Sequence, residues 1–144
     1  MVLQLTQSEQ EWLRANHPKL FYFPQNCCII GDFILNAKFN GVHIKDFYEI
    51  CIDLKKCFLG LPTVYETGGK IFRAAKKLNR ILPDMHIYED KSLCLIHPFK
   101  IKEFYPNNIF NISTFMYHLT AYFYWQSYLD IYRSEPWKGE PHGV

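Results

Sequence analysis

The chain has 144 residues, 49% of them apolar and 17% aromatic, and carries a formal net charge of +2. This length and composition fit one packed domain over 1–144 and exclude a disordered chain. The charge is too nearly balanced to point to nucleic acid or an anionic membrane, so neither is expected as a partner.

No basic segment followed by an apolar core opens the chain, so no signal peptide is expected and the expected compartment is cytoplasmic. The five cysteines, Cys27, Cys28, Cys51, Cys57 and Cys94, contain no C-x-x-C pair, which favours thiols over a disulfide framework.

A first helix is predicted from about Thr6 to Ala15. Thr6 or Ser8 caps it, Glu9 and Glu11 lie near its positive end, and His17-Pro18 stops it. From Phe21 to Leu54 the pattern is that of strands, with Asn40-Gly41 as a hairpin turn because both residues tolerate positive φ. A further strand, Thr63–Thr67, ends at Gly68-Gly69. Strands joined this closely imply an antiparallel meander. Residues 71–81 read as a short basic helix or a covered loop closed by Pro83, and 85–104 as irregular. A long helix follows, capped by Asn111 and stapled by Phe110 and Phe115, with Ile112, Phe115, Met116, Leu119, Tyr122 and Phe123 at helical spacing. The stretch 109–129 holds no charged residue, yet its seven polar residues suit a buried helix better than a membrane span. The fold class expected is α+β, with an N-terminal helix and a long C-terminal helix packed on the sheet.

Chemistry concentrates between Leu82 and Pro98. A proline leads into an extended piece with His86, a polar turn runs from Glu89 to Ser92, and Leu93-Cys94-Leu95 follows. A nucleophilic thiol must be both reachable and held, and this pattern predicts a thiol just after a turn at the sheet edge. The other four cysteines read as packing residues. Cys94 and His97 form a C-x-x-H half-site that His86 could extend, but no second ligand pair exists, so no metal is expected. Gly68-Gly69-Lys70 lacks the rest of a phosphate-loop pattern, and no other cofactor motif is present. Glu89 and Asp90 suit a solvated turn as well as an acceptor-steering role.

The segment resembles the active-site stretch of the ubiquitin-conjugating enzymes, and Gly60-Leu61-Pro62 before a strand is also similar to that UBC-like fold. The likeness is greatest to bacterial conjugating-enzyme-like proteins encoded beside cGAS/DncV-like nucleotidyltransferases in anti-phage (CBASS) operons. Their ends resemble Trp137-Lys138-Gly139-Glu140-Pro141-His142-Gly143. The eukaryotic His-Pro-Asn tripeptide is missing. His86, eight residues before Cys94, falls about where its asparagine would be, and the resemblance implies that it would take the oxyanion or loop-steadying role. The resemblance implies acyl transfer through a thioester. Cys94 would take the activated C-terminal carbonyl of a partner, a nucleotidyltransferase tail in those systems. A separate activating enzyme would supply the activation, or else the adduct is a simpler thioester or disulfide. The alternative is a non-catalytic module of the same fold that binds the same partner.

Overall fold

The computed structural model describes residues 2–138. Helix α1, Gln7–Asn16, opens with a capping box: Glu9 N donates to Thr6 Oγ1 (3.2 Å) while Thr6 N donates to the Glu9 carboxylate (2.8 Å). At its other end the His17 ring stacks on Phe33, centroids 5.4 Å apart.

Four strands follow, β1 Leu20–Phe23, β2 Cys28–Phe39, β3 Val42–Phe58 and β4 Leu61–Glu66, in one antiparallel sheet of order β1-β2-β3-β4. The expected meander is present. Asn40 and Gly41 both have positive φ (50° and 81°), which matches the twist of the β2–β3 hairpin. Strand alternation sends Ile29, Phe33, Leu35, Tyr48, Ile50 and Ile52 into the core.

The basic segment resolves as helix α2, Lys70–Lys77. Gly69 at its N-cap has φ +77° and no side chain to offer, so the cap comes from Glu66. That buried carboxylate accepts from the amides of Lys70 (3.1 Å) and Ile71 (3.0 Å), where the helix dipole also favours negative charge.

Between Leu82 and Asn108 come three 3-10 turns, Leu82–Met85, Pro98–Lys100 and Pro106–Asn108, and one helical turn, α3, Ile101–Phe104. Helix α4, Ile112–Tyr132, is capped by the Asn111 side chain, which accepts from Thr114 N at 3.0 Å; the Phe110 and Phe115 rings meet at 5.4 Å. Phe123 packs on Phe33 and stacks on Tyr48 of the sheet, while Tyr122 and Gln126 reach the other way to the carbonyl of Met85. The helix is thus a middle layer with buried residues around most of its circumference, which is why 109–129 carries no charge. No helix among the described residues is long and apolar enough to cross a membrane.

Two measurements test this account. Glu66→Ala leaves two helix-end amides without their acceptor and should cost about 2 kcal/mol in urea unfolding. Glu66→Gln should recover part of that loss. Burial lowers the pKa of both His17 and His118, so each folds in its neutral form. The unfolded chain therefore binds more protons once pH falls below about 6.5, and stability should drop between pH 7 and pH 5. His118→Gln should flatten that slope, and an unchanged slope would show that His118 does not contribute to it.

Candidate functional site

Residues 86–94 close on themselves. Cys94 N donates to His86 O (2.9 Å), Tyr88 N to Ser92 O (2.9 Å) and Lys91 N to Tyr88 O (2.9 Å), with a bridge between Ile87 and Leu93. Asp90 shapes the turn by accepting from the Ser92 amide (2.9 Å) and hydroxyl (2.5 Å). Those two bonds lead the causes that lower the Asp90 pKa. Leu93 N then donates to Val64 O at 2.9 Å, so this small hairpin docks on edge strand β4. Ile87 and Leu93 anchor its inner face in the core.

The two residues singled out by sequence are therefore brought together through their backbones. His86 does not lie on an extended piece, however. It ends the 3-10 turn Leu82–Met85 in the left-handed region, φ 59°, and the strand-like course begins at Ile87. Its ring meets Trp125 edge-on at 4.5 Å, and Arg80 lies over the same indole.

Cys94 departs from expectation in a second way. It is only 7% exposed, whereas Cys27, Cys28, Cys51 and Cys57 are all half-buried. The reachable thiol and the packed four are thus reversed in order of access. Tyr88 supplies one reason. Alternation across the hairpin puts residues 88 and 94 on one face, and the Tyr88 hydroxyl hydrogen-bonds the Cys94 side chain. Burial first, then that bond, raises the pKa of Tyr88 well above the ordinary tyrosine range. The hydroxyl is accordingly protonated at neutral pH. Tyr88 is itself 42% exposed, so the cover is a surface side chain and not core.

Below lies Tyr122, whose hydroxyl donates to the carbonyls of Met85 (3.2 Å) and His86 (3.1 Å), with Gln126 Nε2 donating to Met85 O at 2.6 Å. On the outer side a groove of about 700 Å³, lined by Phe58, Leu61, Tyr88, Leu93, Ile96 and Pro98 among others, runs beside the hairpin. The Lys56–Asp90 ion pair (3.3 Å) sits among its lining residues.

His97 caps the turn Pro98–Lys100, its Nδ1 accepting from Phe99 N at 3.2 Å. No cluster of three or more metal-ligating side chains occurs among the described residues. Of the C-terminal sequence, Trp137 stacks on Tyr124, and its carbonyl accepts from Trp125 Nε1 (3.1 Å). His142 and Gly143 lie outside the described residues. Tyr88, Tyr122 and Gln126 were not anticipated. Tyr88 had a usable signal, because a hairpin centred on the polar turn places it diagonally from Cys94. Tyr122 and Gln126 sit some 30 residues away, beyond any local pattern.

No family model, curated protein or solved structure matches the chain.

Alkylation with peptide mapping reads the closed thiol directly. In the wild type, Cys94 should label after the four half-buried cysteines, and Tyr88→Ala should move it forward. Should Cys94 label first in the wild type, the closed hairpin is not the form that dominates in solution.

Proposed function

We propose that the chain is a ubiquitin-conjugating-enzyme-like protein that takes an acyl group from a partner's C-terminus onto Cys94. The observation that supports this most is the hairpin 86–94. It holds the His86 and Cys94 backbones one hydrogen bond apart and brings the Tyr88 hydroxyl to the Cys94 side chain. The α+β arrangement, with a four-stranded antiparallel meander between an N-terminal and a long C-terminal helix, is compatible with the UBC-like fold that the sequence resembles.

In this reading the Cys94 thiolate attacks a carbonyl already activated as an acyl adenylate or a thioester. The C–S bond forms as adenylate or thiolate leaves. An acceptor amine then attacks the thioester, loses a proton and regenerates the thiolate. Developing negative charge on the carbonyl oxygen needs donors close by, and His86 is the candidate. Tyr88 must swing aside for the acyl group to reach the sulfur. The resembled anti-phage systems make the partner a cGAS/DncV-like nucleotidyltransferase whose tail is the acyl donor, with activation supplied by a separate enzyme.

The burial of Cys94 favours a second reading, a module of the same fold that binds this partner without covalent chemistry. The missing His-Pro-Asn tripeptide points the same way.

Co-expression with a nucleotidyltransferase and an activating enzyme, followed by non-reducing gels and mass spectrometry, separates the two. Acyl transfer predicts a Cys94-dependent adduct cleaved by hydroxylamine, and a longer-lived ester for Cys94→Ser. A disulfide yields to reductant alone. His86→Ala should slow transfer by about 10²–10³-fold if it serves as an oxyanion donor. Tight binding with no Cys94-dependent adduct would establish the binding module instead.

A further inference from the structure

Addition of a thiolate to a carbonyl places the new oxyanion on the carbon that has just joined the sulfur. A group already in contact with that sulfur is therefore next to where the charge appears. Acyl transfer needs donors about 2.7–3.1 Å from the developing oxygen, held in place beforehand and shielded from water.

The Tyr88 hydroxyl stands at this position. It hydrogen-bonds the side chain of the buried Cys94, and the Ile87–Leu93 bridge keeps residues 88 and 94 on one face of the hairpin. The backbone that carries it is fixed from both sides. Tyr88 N donates to Ser92 O, and Tyr88 O accepts from Lys91 N, each at 2.9 Å. Burial keeps the phenol protonated at neutral pH, so its O–H can be offered to a new acceptor. A second donor lies beside it. The amide of Leu95, directly after the nucleophile and half-buried, meets no acceptor among the described residues, whereas the Cys94 amide is taken by His86 O. The neighbouring groups are placed differently. The Tyr122 hydroxyl is given to the carbonyls of Met85 and His86, and the His86 ring stands edge-on to Trp125.

We propose that the Tyr88 hydroxyl is a catalytic oxyanion donor at Cys94, acting together with the Leu95 amide. The thiol first loses its proton to solvent. As the thiolate adds to the carbonyl carbon, the C–S bond forms and the carbonyl π pair moves to oxygen. The Tyr88 ring shifts far enough to admit the acyl group, and its O–H turns from the sulfur to the oxygen beside it. The phenol shares its proton and keeps it. When the electron pair returns to carbon, the C=O re-forms and the leaving group departs with its bonding electrons. The hydrogen bond is strongest while the oxygen is charged, which is the condition for it to raise the rate. Cover and donor are thus one side chain. This role rests on the acyl-transfer reading and adds a residue to it.

Two small reagents test it without any partner. p-Nitrophenyl acetate acetylates a thiolate through a tetrahedral oxyanion, whereas iodoacetamide alkylates it by direct displacement of iodide, with no oxyanion. Peptide mass mapping reads the rate of each at Cys94, and their ratio removes changes in access and ionisation that both share. Tyr88→Phe keeps the ring and deletes the donor. It should lower acetylation relative to alkylation by roughly tenfold or more. Tyr88→Ala should speed alkylation and show the same lowered ratio, and it carries the test if circular dichroism finds Tyr88→Phe misfolded. A ratio equal to that of the wild type overturns the proposal and leaves Tyr88 a cover alone. A wild type whose Cys94 is alkylated but never acetylated overturns it as well. Failure of the acyl-transfer reading has its own readout, the absence of a Cys94-dependent adduct on co-expression.

Discussion

The candidate site depends on one clamp, the grip of α4 on the carbonyls of Met85 and His86. Residues 82–98 form only one short hairpin and a few turns, so some of their carbonyls, Met85 O among them, need partners from elsewhere. Tyr122 and Gln126, one helical turn apart, supply three donor contacts to those two carbonyls. His86 can therefore hold its left-handed conformation, which costs a non-glycine residue about 1 kcal/mol or more. Once His86 is fixed, its carbonyl receives the amide of Cys94 and the hairpin closes in register. Burial drives the Tyr122 pKa far above that of a solvated phenol, so the donor is present at any physiological pH.

The helix that applies this clamp is held from its other side by polar contacts as well as by packing. Lys70 Nζ meets Asp46 at 2.5 Å, Ser127 Oγ donates to the second Asp46 oxygen at 2.7 Å, and Tyr48 lies 2.6 Å from Ser127. Desolvation opposes the Asp46 charge. The bonds from Lys70, Ser127 and the Phe47 amide outweigh it and lower the pKa. One carboxylate thus links β3, α2 and α4. With Glu66 capping α2, both acids lie close to that helix and secure its first turn, Asp46 through Lys70 and Glu66 through two amides. The placement of α4 over the sheet, and so of Tyr122 beneath the thiol segment, is fixed by directional bonds in addition to Phe33, Tyr48 and Phe123.

Local signals in this chain were strong wherever a few neighbouring residues decide the outcome. Thr6 with Glu9, Asn40 with Gly41, and Asn111 with the Phe110–Phe115 staple each act within about five residues, and each was legible. The basic helix was ambiguous although its cap lies only four and five residues ahead, because the capping residue belongs to a strand. Gly69 offers no acceptor, and Glu66 reads in sequence as the outward end of a strand. Access to Cys94 is not legible in the sequence either. Flanking aliphatic residues identify an anchored thiol, but they do not reveal that Tyr88 folds back across the turn onto the same face. The clamp from α4 was the least legible feature, since its partners are about 36 to 41 residues apart and share no periodicity.

A closed thiol is still compatible with acyl transfer when the energy of the closure is considered. Tyr88 is held on the sulfur by one hydrogen bond and by contacts at a surface turn. A bond of this kind is worth about 1 kcal/mol net, which by itself would favour the closed rotamer only about fivefold. Such a cover slows chance encounters with small electrophiles only modestly, and much less than core burial would. The groove beside the hairpin is lined by the same tyrosine ring, so a chain segment seated there touches the cover directly. Any preference of that segment for the open rotamer shifts the balance by its full differential affinity, and about 1.4 kcal/mol is enough for a tenfold change. Groove and thiol are therefore coupled through one side chain. In the proposed reading, recognition of the partner's tail and exposure of the nucleophile become the same event.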